Sequence, residues 1–101
     1  MELTTQEIYS NWIKTSGKED DLLYEQYEAG KMNYVDYKIA EAKVHMRTYR
    51  ELAESLKGRT DEAAQKIQRS VEPYIAHQRE RIEYYRKLGA GELVDDQEDD
   101  D

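Results

Sequence analysis

The sequence contains no cysteine and no phenylalanine, and it has a single proline. Without cysteine the chain cannot form a disulfide framework, carry out thiol chemistry or build a cysteine-rich zinc site. No apolar run approaches the length of a membrane span, and the first residues lack the apolar segment of a secretory signal. We therefore expect a cytoplasmic protein that does not interact with membranes.

Residue patterns typical of catalysis are also missing. The five glycines are scattered along the chain, so they form no glycine-rich phosphate-binding loop. A nucleophilic triad needs an activated serine or cysteine beside a histidine, whereas the serines here fall at predicted caps or on predicted helix surfaces. We expect a protein that is not an enzyme and uses no cofactor.

Two pairs of side chains have spacings that could suit a metal ion. Glu41 and His45 lie one helical turn apart, as do His77 and Glu80. Carboxylate-bridged metal sites in helical bundles use Glu-x-x-His, but the first pair has a spacing of four and the second runs in the reverse order. Because the helical register also places Glu41 on the solvent side, the sequence does not predict a metal site.

Charge is divided unevenly along the chain, whose formal net charge is −8. Residues 1–29 hold seven acids and two bases, residues 30–91 hold nine acids and thirteen bases, and residues 92–101 hold seven acids and no base. The last segment has no periodicity and repels itself, so it is predicted to be a disordered acidic tail. Such a tail could solubilise the protein, screen its basic middle from polyanions, or contact a basic partner.

Capping signals predict two helices in the acidic N-terminal part, residues 1–31. Thr4 and Glu7 form a capping box, in which each side chain bonds the other residue's backbone amide. Ser16 and Glu19 repeat this pattern. The sequence therefore predicts two short helices, over residues 5–14 and 17–29.

A coiled-coil period of 3.5 residues dominates residues 32–91. The first long helix is capped by Asn33, ends at Gly58, and has its apolar seam at Val35, Ile39, Ala42, Met46, Tyr49, Ala53 and Leu56. The second is capped by Thr60, ends at Gly89, and has its seam at Ala64, Ile67, Val71, Ile75, Gln78, Ile82 and Tyr85. Pro73 removes one helical hydrogen bond and predicts a kink. We expect an all-α protein in which the two short helices precede a long antiparallel helical hairpin.

Basic residues accompany the seam of the predicted hairpin. They are seven residues apart on each helix: Lys43, Arg50 and Lys57 on the first, Arg79 and Arg86 on the second. Like charges beside a helical interface repel, so an anionic counterpart is needed. It could be internal, from the acids of the second short helix, or external, from nucleic acid or an acidic protein surface.

Tyrosine is abundant, with nine copies, and four of them are Tyr24, Tyr27, Tyr34 and Tyr37. Tyrosine and tryptophan are enriched at protein interfaces, so these four residues and Trp12 are candidate anchors, although half-buried core tyrosines would give the same pattern. We expect a protein-protein interaction module: an adaptor, assembly factor or stoichiometric inhibitor of a larger protein, of the kind that phage and bacteria encode. The alternatives are a hairpin that binds nucleic acid through the basic residues, and an acidic mimic of nucleic acid. A second copy could also cover the hairpin and form a homodimer.

Overall fold

The structure, a computed structural model, describes residues 3–91, which form three helices and no strand. These are α1 (Thr5–Glu28), α2 (Tyr34–Ser55) and α3 (Glu62–Gly89). The predicted all-α class is confirmed. The predicted disordered tail, residues 92–101, lies outside the described residues. Within the described range, no helix combines the length and the apolar character needed to cross a membrane.

Helix α1 is continuous, so the prediction of two short helices is wrong. The capping box at its start is confirmed, since the Glu7 amide donates to Thr4 Oγ1 at 3.1 Å and the Thr4 amide donates to Glu7 Oε1 at 2.8 Å. Ser16 does not cap a second helix; it is buried inside α1, where its hydroxyl donates to the Ile13 carbonyl at 3.4 Å. A serine that bonds the preceding turn can stay in a helix, and Gly17 costs a helix only about 1 kcal/mol relative to alanine. Packing of α1 along α2 outweighs that local preference.

Two glycines make the turns between the helices. Gly30 has φ of 78° and Gly58 has φ of 86°, a left-handed conformation that favours glycine. Asn33 caps α2 as predicted, because its side-chain oxygen accepts a hydrogen bond from the Asp36 amide at 2.7 Å.

The cap of α3 is Asp61 rather than the predicted Thr60. The Asp61 carboxylate accepts hydrogen bonds from the Ala64 amide at 3.2 Å and from the Thr5 hydroxyl at 3.0 Å. The hydrogen bond from Thr5 lowers the pKa of Asp61 below its ordinary value. This cap therefore also ties the start of α1 to the start of α3.

Helices α2 and α3 lie antiparallel. Contacts between them run in opposite order along the two helices: Tyr34 with Tyr85, Glu41 with Arg81, and Tyr49 with Ser70. Helix α1 packs mainly on α2 and touches α3 little. Helix α3 continues through Pro73; the kink at this residue stays a prediction.

The main apolar cluster lies where α2 turns back into α3, which we call the closed end. Leu52, Leu56 and Ala64 are buried there. Four partly buried side chains pack around them: Ile8, Trp12, Tyr49 and Ile67. The opposite end, where the end of α1 and the end of α3 both lie against the start of α2, is the open end. It is built from tyrosines.

Candidate binding surfaces

Six tyrosines from all three helices form one connected group at the open end, which we call the tyrosine cluster. Its members are Tyr24 and Tyr27 of α1, Tyr34 and Tyr37 of α2, and Tyr84 and Tyr85 of α3. The structure thus unites four of the sequence-predicted anchors and adds two rings from α3.

Three of the rings, Tyr24, Tyr27 and Tyr37, contact one another, and the other three extend the group through Tyr34. Tyr27 and Tyr37 are stacked, with ring centroids 5.0 Å apart and planes 14° apart. Tyr24 meets Tyr37 edge to face at 6.2 Å, and Tyr34 meets Tyr85 edge to face at 6.1 Å. Such tilted and offset arrangements suit the charge distribution of aromatic rings and hold their positions relative to one another.

Two members of the tyrosine cluster remain largely accessible. The exposed fraction is 51% for Tyr24 and 46% for Tyr34. Hydrogen bonding to the Glu28 carboxylate, followed by the negative charge of that group, raises the pKa of Tyr24. Burial raises the pKa of Tyr37, and the charge of Glu41 adds to the effect. Both hydroxyls are therefore neutral, and able to donate, well above neutral pH.

Cations and acids surround these rings. The Lys38 ammonium lies 5.9 Å from the centroid of Tyr34 and 5.8 Å from that of Tyr37, within the range of a cation–π contact. The exposed acids Asp21, Glu25 and Glu28 lie on α1 within four residues of Tyr24. The accessible part of the cluster is thus both aromatic and acidic.

Deeper between the helices, α1 meets α2 through a polar group. His45 Nε2 lies 3.0 Å from Asp20 Oδ2. Glu41 Oε1 lies 3.0 Å from Lys38 Nζ and 3.4 Å from Arg81 Nη2. Burial alone would raise the pKa of Glu41, but the hydrogen bonds and positive charges of Lys38 and Arg81 outweigh it and lower that pKa.

The position of Glu41 differs from the expectation drawn from the sequence. Only 18% of its side chain is exposed, and it faces Arg81 of α3 rather than solvent. The third charged group beside it, Asp20, comes from α1. Residue spacing alone does not predict this approach, because it depends on α1 continuing past Ser16 and lying along α2.

Trp12 lies away from the tyrosine cluster. It packs half-buried against the apolar cluster of the closed end, with its ring centroid 5.5 Å from those of Tyr9 and Tyr49. The predicted anchors therefore divide into two places. Trp12 belongs to the core contacts, whereas the four predicted tyrosines belong to the open end.

The five basic residues of the predicted hairpin are exposed, and none forms an ion pair within residues 3–91. They are Lys43, Arg50, Lys57, Arg79 and Arg86, which we call the basic row. Arg50 and Lys57 line a groove formed by α2 and α3 alone, so they lie on the side that α1 leaves uncovered. Lys43 shares their face because residues seven apart repeat the same helical direction.

The acids of α1 do not pair with the basic row, so the internal anionic counterpart considered from the sequence is wrong. Glu19 pairs with Arg47, and Asp20 pairs with His45. Helix α1 covers the opposite side of α2, so its carboxylates lie near other partners. Each cation of the basic row is instead exposed to solvent, which removes the need for an internal counter-ion.

Comparisons with protein-family models, with curated protein sequences and with solved structures gave no significant match.

Proposed function

We propose that this protein is a non-enzymatic interaction module that binds a larger protein through the tyrosine cluster, as an adaptor, assembly factor or stoichiometric inhibitor. The observation that carries the proposal is the connected set of six tyrosine rings, of which Tyr24 and Tyr34 are about half exposed.

Ring packing supports a binding role for physical reasons. A tyrosine side chain supplies a large contact area at a small cost in conformational entropy, because it has only two rotatable bonds. Here neighbouring rings already fix Tyr24 and Tyr34 from one side. Little further ordering is required when a partner covers the other side, so more of the contact free energy appears as affinity.

Charge around the cluster favours a basic partner segment. An arginine or lysine placed over Tyr24 would meet the ring face and the carboxylates of Asp21 and Glu28 together. Lys38 already occupies such a position over Tyr34 and Tyr37. Arginine suits this role best, since its guanidinium is more weakly hydrated than an ammonium and stacks on aromatic rings.

The test compares three forms of the full-length protein as bait in lysate of its host: wild type, Tyr24→Ala/Tyr34→Ala, and Tyr9→Ala. Tyr9 is also partly exposed but lies at the closed end, so it serves as the matched control. A captured protein would then be purified and titrated calorimetrically with each form. We expect the double variant to bind it at least about tenfold more weakly, because each interface tyrosine of this kind contributes more than about 1 kcal/mol.

A further variant distinguishes the contribution of the tyrosine rings to binding from that of their hydroxyls. Tyr24→Phe/Tyr34→Phe should retain most of the affinity if a cation stacks on the rings, and raised salt should weaken binding by wild type. Equal affinity of wild type and Tyr24→Ala/Tyr34→Ala for the purified partner would refute the proposal.

A second candidate function, binding of nucleic acid, is favoured by one observation. The basic row is exposed on the side that α1 leaves uncovered, and its members have no ion pair among residues 3–91. Cations spaced along two adjacent helices could contact a phosphate backbone. Acids such as Glu54 and Glu72 in the same groove oppose this role, so we rank it second.

The test of this second function is a salt-dependent titration against single- and double-stranded DNA and RNA. The variant Lys43→Gln/Arg50→Gln/Lys57→Gln is compared with Lys14→Gln/Lys18→Gln/Lys31→Gln, which removes the same charge from exposed positions elsewhere. On duplex DNA, each lost phosphate contact should reduce the slope of log K against log salt by about 0.9. Absence of binding by wild type at low salt, or equal loss in both variants, would exclude the basic row as the site.

A further inference from the structure

Three potential metal ligands meet where α1 crosses α2. Asp20 comes from α1, and Glu41 and His45 come from successive turns of α2. One ligand atom from each lies within 4.8 Å of the other two. All three residues are half-buried, between the tyrosine cluster and the rings of Tyr49 and Tyr74.

One carboxylate oxygen in this group is buried without a partner among the described residues. Asp20 Oδ1 is inaccessible to solvent and accepts no hydrogen bond from residues 3–91. Lys38 and Arg81 both approach Oε1 of Glu41. A buried carboxylate oxygen without a partner is destabilising, and the great majority of buried polar atoms have one. A cation or a hydrogen-bond donor at Asp20 Oδ1 would satisfy this atom.

We propose that Asp20, Glu41 and His45 bind a divalent transition-metal ion of the zinc type. One imidazole nitrogen with two carboxylate oxygens, and a fourth position for water, is a ligand set that zinc accepts, whereas magnesium and calcium prefer oxygen ligands alone. Ligand atoms around tetrahedral zinc lie about 3.4 Å apart, given bond lengths near 2.1 Å. The 3.0 Å between His45 Nε2 and Asp20 Oδ2 is close to this value, and the ligand atoms of all three residues lie within 4.8 Å of one another.

Lys38 and Arg81 compete with the ion for Glu41. Their charges balance Asp20 and Glu41 in the absence of metal, so binding would work against local repulsion. Lys38 has a flexible stem and can leave Glu41, whereas Arg81 is also held by Gln78 at 3.1 Å. Zinc affinity at this position should therefore change when the Lys38 charge is removed, whereas affinity at an unrelated surface site should not.

The experiment is calorimetric titration of the full-length protein with zinc chloride at neutral pH, with thermal unfolding measured in parallel. We expect one ion per chain to bind in a step that depends on His45, and a higher Tm with zinc because the ion links α1 to α2. His45→Gln should weaken that step at least tenfold, and so should Asp20→Asn. His77→Gln, which alters an exposed histidine on α3, should leave it unchanged.

The variant Lys38→Gln gives the sharpest result, because it should tighten zinc binding. If His45→Gln does not fold, manganese provides a second route: as a paramagnetic ion it should broaden the proton signals of the His45 ring before those of the His77 ring. Zinc binding that is unaffected by His45→Gln and Asp20→Asn, or equal broadening of both histidines, would overturn the proposal. So would Lys38→Gln binding no tighter than wild type.

Discussion

The two ends of the molecule hold α1 on the α2–α3 pair by different means. At the closed end, Leu52, Leu56 and Ala64 exclude water, with Trp12 packed against them. At the open end, the contacts are made by tyrosines, none of which is fully buried. Burial of apolar surface stabilises a fold wherever it occurs, but rings with hydroxyls can remain partly in water. We therefore expect the closed end to contribute more than the open end to the stability of the α1 contact.

The largest expected effect on stability follows from truncating a buried side chain at the closed end. Leu56 has an exposed fraction of 0%, so Leu56→Ala leaves a cavity as well as losing apolar burial. Substitutions of this kind lower the free energy of unfolding by about 2–5 kcal/mol. Urea denaturation followed by circular dichroism would measure the loss.

Leu22→Ala is the matched control, because Leu22 lies on α1 with 57% of its surface exposed. Its unfolding free energy should stay within about 0.5 kcal/mol of wild type. If the two leucine variants were equally destabilised, the closed end would not be the main source of stability.

A smaller effect on stability is expected from losing the hydrogen bond that caps α2 at the open end. Asn33 caps α2 through the Asp36 amide, directly before Tyr34. Asn33→Ala leaves that amide without its side-chain partner and should reduce the unfolding free energy by about 1 kcal/mol. Asn33→Asp supplies a carboxylate oxygen in place of the amide oxygen as hydrogen-bond acceptor, so its unfolding free energy should stay close to that of wild type in the same urea experiment. An equal loss in Asn33→Asp and Asn33→Ala would show that the cap is not the cause.

Periodicity in the sequence was sufficient to find the core of the α2–α3 pair. Ala42, Leu56, Ala64, Ile75, Gln78 and Ile82 belong to the predicted seams, and all are buried. Leu52 and Thr48 are buried too, although they lie outside those seams. They face α1, so their burial depends on where that helix packs, which the 3.5-residue repeat does not encode.

Local capping signals predicted the wrong helix boundaries where contacts with residues distant in sequence determine the structure. The Ser16 and Glu19 pattern is a genuine capping signal, but packing along α2 kept α1 continuous. Thr60 and Asp61 are both good capping residues, and the Thr5 hydroxyl bonds the second of them. The same distinction between local and distant residues applies to the tyrosine cluster and to the group of Asp20, Glu41 and His45. Four tyrosines of the cluster were visible because they are close in sequence, whereas the approach of Asp20 to His45 spans 25 positions.

A pH-dependent effect should come from the polar group between the two ends. Lys38 and Arg81 lower the pKa of Glu41 below its ordinary value of 4.5. A carboxylate with a lowered pKa stabilises the fold above its unfolded pKa and loses that contribution as pH falls through its folded pKa. Glu41→Gln should therefore be less stable than wild type at neutral pH, and the gap should close below pH 4.5.

The size of this gap should be modest, because partly exposed ion pairs contribute about 0.2–1 kcal/mol each. Carboxyl NMR titration of Glu41 in wild type and in Lys38→Gln would test its cause directly. The pKa should rise in Lys38→Gln, since one of the two lowering charges is gone. An unchanged pKa would mean that Lys38 does not act on Glu41 in solution.

The smallest expected change in stability is at Tyr24. Its ring is half exposed on α1, and alanine is a better helix former than tyrosine, so Tyr24→Ala should alter the unfolding free energy by no more than about 0.5 kcal/mol. The same substitution should weaken partner binding, because it removes one accessible ring of the cluster. Urea denaturation and titration with the purified partner measure the two quantities on one protein. Loss of affinity without loss of stability would show that the open end serves binding rather than stability. A large drop in stability would instead show that Tyr24 contributes to the core.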